Sequence, residues 1–485
     1  MEHNRQETSG MTEQIRQMFA NSADVHVDRY GLGKQGHERI VYLIYAEGLT
    51  DTKPINEYVL PRLENIVASA ETAAEQGPIH MDWKPVGGLD EIPDKVFNGR
   101  LVIYFEDSGD LFALDIASPP HRSPQDTNTE ISIKGPRDGF VEEAITNIAL
   151  IRKRLRTQSL CCESFTIGKR SRSYVALLYI QDIANPALID EVKRRLQGID
   201  IDALLGAGQL EMMLADESAS LFPLLDYSGR PDFTADCLVL GRFALLVDGS
   251  PLAIIAPTNL TMQLKSPEDL HFPFYFASMG VMMRLFGLVT SLLLPGFWVA
   301  LSAYNMEQIP YPLLATIALS RIGLPFPGPL EAFMMVGMFE LFREAGERLP
   351  KAVGQTVAVV GGIIVGDAAI RAGLASPTLL VVTSITAVAS FTLVNQSLFG
   401  TVSVLRFLVL LCSSVLGMYG FILSVIAILL YMSKLKSFGV PYLAPLSPLN
   451  PKDILAALLR KPWYTVRNRP DILRTTDKTR KGGRS

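Results

Sequence analysis

Three acidic residues, Glu331, Glu340 and Asp367, lie in or near strongly apolar stretches of the chain. Placing a carboxylate in a membrane-like environment costs free energy. Such a residue therefore indicates by default a functional role, such as attracting cations. Each residue also has a structural alternative. Glu331 can complement a helix N-terminus. Glu340 can pair with Arg343, and Asp367 with Arg371 one turn on. At the level of the sequence both interpretations stay open.

A second pattern is a stripe of small residues near the last of these acids. Gly354, Ala358, Gly362 and Gly366 recur every four residues, and Gly361 lies beside them. Small residues at this spacing let helix backbones approach closely in lipid. The stripe predicts either helix packing within one chain or a position at an oligomer axis or pore.

Motifs for catalysis, cofactors or metals are not convincing in this chain. The six histidines are scattered, the four cysteines form no CxxC pair, and GxSxG and HExxH are absent from the sequence. Residues 31–36 fit GxGxxG, but a strand pattern follows where a dinucleotide site needs a helix, which favours a hairpin turn. We therefore expect no enzyme, no cofactor and no metal. The cysteine usage fits a reducing compartment.

The acids and the stripe belong to an apolar region that must position them. Charged residues make up 19% of the 485 residues, against about a quarter in soluble proteins, and only 12 of them fall in residues 285–433. This predicts an α-helical transmembrane domain over 280–433. Its expected membrane spans are residues 285–306, 376–394 and 407–433, with 352–370 as a weaker fourth.

Residues 311–350 are harder to assign to the membrane. Three prolines precede an amphipathic stretch, so a helix should begin near Leu330 and end before Pro350. Whether residues 311–350 cross the membrane or re-enter from one side stays open. Four spans, or six if this stretch crosses twice, both return the C-terminus to the side of the N-terminal half.

The N-terminal half predicts a flexible segment over 1–23 and two related α/β subdomains over 24–134 and 158–275. A connector over 135–157 joins them. It should form a helix that buries Phe140, Ala144, Ile148 and Ile151.

The relation between the two subdomains rests on matching turns and matching order. Gly33 and Lys34 correspond to Gly168 and Lys169, and the pair at 99–100 corresponds to the pair at 241–242. The two matches are separated by similar numbers of residues along the chain, which suggests an internal duplication. Chance similarity between two α/β patterns is the alternative.

The distribution of charged residues indicates which partners the chain binds and how it is oriented in a membrane. The net charge of −4 does not indicate binding to nucleic acid, which would require a basic domain or stripe. Residues 434–485 carry 12 Lys or Arg and three Asp directly after the last apolar run, which marks a cytoplasmic tail. The N-terminus lacks the apolar core of a secretory signal. We expect a multi-pass membrane protein with both termini in the cytoplasm.

Several motifs resemble the GerA family of spore germination receptor A subunits. PFPGPLEAF, FELFREAGERLP and GQTVAVVGGIIVGDAAIRAGLASP resemble its membrane region, and GPRDGFVE, GRPD and VDGSPLAIIAPTN resemble its soluble region. The resemblance implies a nutrient-sensing role in the inner membrane of a dormant spore, within a complex containing B and C subunits. It further implies that the A subunit forms a homo-oligomeric channel in membrane lipid, which releases ions when a small-molecule nutrient acts on the complex.

This chain departs from the family's usual pattern at three positions. The family commonly has Glu at the position of Val336, Pro at that of Val394 and Arg at that of Ser403. A wall charge and a helix break are therefore missing, which affects ion selectivity and gating more than fold. Two hypotheses follow: a nutrient-gated ion-channel subunit, or a non-conducting scaffold like the stage V sporulation AF protein. A secondary transporter is a weaker third option, because no inverted pair of interrupted helices is visible.

Overall fold

The computed structural model describes residues 11–33, 39–68, 83–118, 133–348, 366–449, 453–455, 459–462 and 465–480. They fall into two compact units. The first unit comprises Met1–Ser218, Leu225–Pro257 and Val466–Ser485, and the second comprises Ala219–Leu224 and Thr258–Thr465.

The first unit begins with a five-stranded antiparallel sheet in the order β1-β2-β4-β5-β3. Alternate side chains of a strand point to opposite faces, and in β4 Val102 and Tyr104 join one buried cluster while Leu101 and Ile103 join another. Both faces of this sheet are therefore covered. The strands are Val25–Leu32 (β1), Arg39–Ala46 (β2), Lys84–Pro85 (β3), Arg100–Phe105 (β4) and Leu111–Asp115 (β5), and the helices are residues 11–18 (α1), Leu60–Ala68 (α2) and Ile92–Phe97 (α3).

A second sheet in the first unit repeats this topology, with the order β6-β7-β9-β10-β8. Its strands β7, β9 and β10 are almost wholly buried. The strands are Leu160–Ile167 (β6), Ser173–Ile180 (β7), Asp226–Ser228 (β8), Phe243–Val247 (β9) and Ala253–Ala256 (β10), and the helices are Pro186–Gln197 (α5), Ala207–Leu214 (α6) and Pro231–Val239 (α7).

The identical strand order confirms the prediction of two related α/β subdomains. The matched turns agree as well, because Gly99 and Gly241 precede β4 and β9 with φ of +80° and +94°. A Cβ at Gly99 would lie 2.6 Å from the carbonyl oxygen of Leu49, and one at Gly241 would overlap Thr475. Positive φ and close packing together explain why glycine stands at both positions.

The connector between the subdomains contains helix α4, Ala144–Arg152. Phe140, Ile148 and Ile151 are buried as the sequence predicted. Arg152, at its C-terminal end, is fully buried and bonds both carboxylate oxygens of Asp24 at 2.7 and 2.8 Å. A buried bidentate pair of this kind holds α4 to the segment that leads into β1.

The C-terminal segment 466–480 packs within the first unit. Arg469 Nε donates to the carbonyl oxygen of Val239 at 2.8 Å, and Arg480 pairs with Asp236. Both partners belong to the last turns of α7. Part of the predicted basic tail is therefore an ordered element of the second subdomain.

The second unit is helical. It contains Leu260–Gln263 (α8), Phe274–Val299 (α9), Tyr311–Ser320 (α10), Gly328–Glu347 (α11), residues 366–371 (α12), Pro377–Ser390 (α13) and Gln396–Lys434 (α14). Helix α9 continues through a π-helical turn to Tyr304. Helix α11 begins two residues before the predicted position because Pro329 fits the first turn of a helix. A short hairpin of Lys436–Ser437 (β11) and Val440–Pro441 (β12) follows α14.

Helix α14 bends sharply at Gly417. This residue has φ +60° and ψ −138°, which are not helical values. A Cβ at Gly420 would overlap the backbone oxygen of Cys412, although eight residues would separate them by about 12 Å in a straight helix. The chain therefore folds back on itself at Gly417.

The two ends of α14 confirm this reversal. The carbonyl oxygen of Leu221 accepts a hydrogen bond from Thr401, and the N–H of the same residue donates to the Tyr431 hydroxyl at 3.0 Å. In a straight helix residues 401 and 431 would be about 45 Å apart. Residues 396–416 and 418–434 thus form a helical hairpin, a reversal that the apolar run 407–433 does not reveal.

Two apolar segments of the described chain are long enough to cross a membrane, the helix Phe274–Tyr304 and the hairpin Gln396–Lys434. Helices α10 and α13 are shorter and also apolar. A buried cluster joins α9, α11, α13 and α14 through Val299, Val336, Leu379 and Leu410. The second unit therefore matches the predicted helical region that follows the α/β subdomains.

Candidate functional site

Glu331 lies in the first turn of α11 and is 1% exposed. One carboxylate oxygen accepts a hydrogen bond from the backbone N–H of Ser376, the N-cap residue of α13. The other lies 3.8 Å from Nη2 of Arg321, the C-cap residue of α10. The carboxylate thus faces the positive end of α13, which favours its negative charge.

Gly328 makes this arrangement sterically possible. A Cβ at this position would overlap Nη2 of Arg321. The glycine therefore lets the guanidinium lie against the start of α11, close to Glu331. Ser320, the neighbour of Arg321, adds a 3.5 Å contact between its hydroxyl and that of Thr378 in α13. We call Arg321, Gly328, Glu331 and Ser376 the Glu331 latch, since together they join α10, α11 and α13.

A small polar pocket adjoins the Glu331 latch. It has a volume of about 10 Å³, which is room for about one water molecule. Its lining combines apolar and polar groups and includes Trp298, Ser302, Ile317 and Thr378. The contacts of the latch, which join three helices beside this pocket, suit a structural or gating role.

Glu340, about two and a half turns further along α11, lies in a second charged cluster. One of its carboxylate oxygens is 2.6 Å from Nη2 of Arg343, as the spacing in sequence allowed. The other is 3.8 Å from Nη1 of Arg406 in α14. The Arg343 guanidinium also lies 4.8 Å from the centre of the Phe399 ring, a cation–π contact.

Arg406 connects this cluster to α13. Its side chain is 4% exposed, and Nη2 donates to the hydroxyl of Ser390 at 2.8 Å. We call Glu340, Arg343, Ser390 and Arg406 the Glu340 cluster. Because its members come from three helices, it ties α11, α13 and α14 together.

The remaining predicted site residues lie apart from these two sites. Asp367 pairs with Arg371 at 2.8 Å, but their side chains are 58% and 79% exposed. Gly366 is buried, and a Cβ there would lie 3.0 Å from Leu380 in α13. This contact is helix packing within one chain. The other residues of the stripe, Gly354, Ala358, Gly361 and Gly362, lie outside the described residues.

No group of three or more His, Cys, Asp or Glu side chains in the described parts of the chain is arranged to hold a metal ion. Cys161 and Cys162 are buried in β6. Burial raises the pKa of both thiols, which makes them poor nucleophiles and poor metal ligands.

Residues 13–472 match the family described as Bacillus/Clostridium GerA spore germination protein. The chain belongs to the GerA family. Spore germination protein XA of Bacillus anthracis is 43% identical over 446 residues, covering 91% of each chain. Spore germination protein GerLA of Bacillus cereus is 36% identical and covers 90% of each chain. Spore germination protein KA of Bacillus subtilis (strain 168) is 34% identical, covering 97% of this chain and 87% of its own length.

A solved structure is also similar to part of this GerA-family chain. It is the N-terminal domain of the A subunit of the Bacillus megaterium spore germinant receptor GerK3. The identity is 25%, the TM-score is 0.40, and the match covers 51% of this chain and 92% of that domain.

Within this GerA-family chain, the sequence predictions named the acids but missed two of the cations. Arg321 is separated from Glu331 by a loop with prolines, so no helical spacing connects them. Arg406 did leave a signal, because it is the one charged residue between two long charge-free runs. An isolated arginine in an apolar stretch indicates a buried polar site.

Proposed function

We propose that this chain is the A subunit of a nutrient germinant receptor in the spore inner membrane. The observation that carries the proposal is the match to GerA-family proteins along nearly the whole chain, with a 43% identical germination protein of matching length. A similarity that covers both the α/β subdomains and the helical unit supports a shared role for the complete protein.

In this proposal the second unit crosses the membrane several times and both termini are cytoplasmic. Its support is the apolar length of α9 and α14 and the basic residues that follow α14, which favour the cytoplasmic side. The hairpin in α14 would return the chain to the side from which it entered.

We further propose that copies of the chain assemble into an ion channel gated by nutrient, without a catalytic step. Helix α10 suits a movable element, because Ile317 alone among its ten described residues is buried. The Glu331 latch would hold α10 in one state and release it in another. The other members of the small-residue stripe, Gly354, Ala358, Gly361 and Gly362, would pack near the axis of the assembly.

The B and C subunits of the receptor are the proposed partners, together with membrane lipid. The nutrient would act on this complex.

Cation release from purified spores tests the receptor proposal. Spores with and without the chain receive amino acids, sugars and nucleosides, and released cations are measured. Loss of release for one nutrient class supports the receptor role and identifies the stimulus. Unchanged release for every nutrient, in a strain whose other GerA-family receptors have been deleted, contradicts it.

A second candidate function is a non-conducting scaffold of the germination complex. It is favoured by Val336, which is 2% exposed within an apolar cluster where the family commonly has a glutamate. Current through liposomes that contain the purified chain would exclude the scaffold. Electrically silent liposomes, together with retained binding to the B and C subunits, would favour it over the channel.

A further inference from the structure

Arg406 in α14 has an unused hydrogen-bond donor. Its Nη2 bonds Ser390 at 2.8 Å, and its Nη1 lies 3.8 Å from Glu340. Its Nε has no hydrogen-bond partner among the described residues, although the side chain is 4% exposed. A buried donor left without an acceptor is costly, so a site with this property favours an additional acceptor.

A second unused group lies one turn earlier on the same face of α14. Ser403 is 6% exposed, and its hydroxyl likewise has no partner in the described part of the chain. Residues three apart on a helix are neighbours, and long side chains lean towards the helix N-terminus. Arg406 and Ser403 therefore occupy neighbouring positions of α14, and each carries a buried donor without a partner among the described residues.

The charge of Arg406 is only loosely balanced by protein. Glu340 lies 3.8 Å from Arg406 but 2.6 Å from Arg343, so its shorter contact is with the other arginine. A neutral acceptor such as water would satisfy the hydrogen bonds and leave the charge as it is. An anion would accept the hydrogen bonds and would also balance the positive charge of Arg406. Interactions between charges are strong in a region of low dielectric.

We propose that Arg406 and Ser403 bind one small monovalent anion of about the size of chloride. The Arg406 Nε–H and the Ser403 hydroxyl donate to it, and the guanidinium supplies the opposite charge. The low exposure of both residues favours a halide over a phosphate group, which has more oxygen atoms to accommodate. This inference is independent of the germination role and concerns the chain alone.

Thermal unfolding of the purified full chain in detergent tests this site. The unfolding midpoint is recorded against sodium chloride and sodium bromide, with sodium gluconate completing a constant ionic strength. Because a ligand that binds only the folded state stabilises it, the midpoint should rise with the logarithm of the halide concentration once this exceeds the dissociation constant. Ser403→Ala should raise the halide concentration at which this rise begins about tenfold, the scale for one hydrogen bond to a charged group.

Two further variants separate halide binding from folding. Ser433→Ala removes an exposed serine of the same helix and should leave the halide response unchanged. Arg406→Lys keeps the charge but lacks Nε and should weaken the response, and if it does not fold, Ser403→Ala still decides.

Three results would overturn the proposal. They are a wild-type midpoint that ignores halide, an identical halide response in Ser403→Ala, and stabilisation that follows the anionic lipid content of nanodiscs instead of halide. The last result would assign the site to a lipid phosphate.

Discussion

Glu331 shows how a single carboxylate can organise several helices. It bonds the N–H of the N-cap residue of α13, lies near Arg321 at the end of α10, and belongs to the first turn of α11. The N-terminal ends of α13 and α11 and the nearby guanidinium each favour a negative charge. The sequence alternative, in which Glu331 complements a helix N-terminus, describes its structural role, and the same contacts make it a suitable latch.

Replacing Glu331 by glutamine should therefore destabilise the protein. Removing one charged partner of a buried ion pair costs about 3–5 kcal/mol of stability. We expect a loss near the lower value because the Arg321 side chain is 24% exposed. The free energy of unfolding in detergent measures the effect. Asp367→Asn is the matched control, since its exposed pair with Arg371 contributes less than about 1 kcal/mol. Equal losses in the two variants would contradict the latch.

In the first unit, Glu191 of α5 links pH to stability. Hydrogen bonds from Arg194 and Arg195 lower its pKa from 4.5 to about 2. Since the folded-state pKa is below the unfolded value, this stabilisation is complete above the unfolded pKa and is lost as pH falls towards the folded one.

Glu191→Gln should accordingly lower the unfolding midpoint at pH 6 and have a smaller effect at pH 3. The contribution at pH 6 should stay below about 1 kcal/mol because the pair is partly solvated. Thermal unfolding of the full chain at both pH values provides the comparison. A difference from wild type that is the same at pH 3 and pH 6 would show that the carboxylate charge is not responsible.

At the scale of the element, the reversal of α14 changes the number of membrane crossings that the proposed topology assigns to the chain. Residues 396–416 and 418–434 are long enough for about 31 and 25 Å of helix, close to the thickness of a hydrocarbon core. The turn consists of little more than Gly417, whose missing side chain lets it approach Tyr304 closely.

Cysteine labelling tests the hairpin. In a chain whose Cys412 is replaced by serine, cysteines at Ser397 and Ser433 should react with a membrane-impermeant reagent from the same side. A cysteine at Met418 should react from the opposite side, because it follows the turn. Labelling of Ser397 and Ser433 positions from opposite sides would instead indicate one continuous crossing.

The sequence predicted most elements because periodicity reflects which face is buried. The alternating strands, the buried face of α4 and the helix from Gly328 to Glu347 follow from this rule. The reversal at Gly417 was not predictable in the same way, since it interrupts an apolar run without proline, asparagine or a polar loop. The pair of Arg321 and Glu331 also depends on tertiary contact that no spacing encodes.

At the scale of the whole molecule, the chain leaves the first unit after Pro257 and returns to it at Val466. The returning segment packs on α7 through Arg469 and Arg480, and the N–H of Thr476 donates to the carbonyl oxygen of Ile183 at 3.0 Å. Arg469 bonds a carbonyl at the end of α7, where a cation is favourable. The composition of this segment shows only that it is basic. Its packing could not be predicted, because it depends on these individual tertiary partners.

Deletion of residues 466–485 should consequently destabilise the second subdomain, whereas deletion of 481–485 should not. The longer deletion removes two arginine contacts, and hydrogen bonds to charged groups contribute about 1.5–3 kcal/mol each. Limited proteolysis of the full chain measures the effect, because exposed backbone around α7 would be cut faster when its cover is lost. Equal cleavage rates in both deletions would mean that the subdomain folds independently of its C-terminal segment. Faster cleavage in the longer deletion alone would mean that the C-terminal segment is part of the second subdomain's fold.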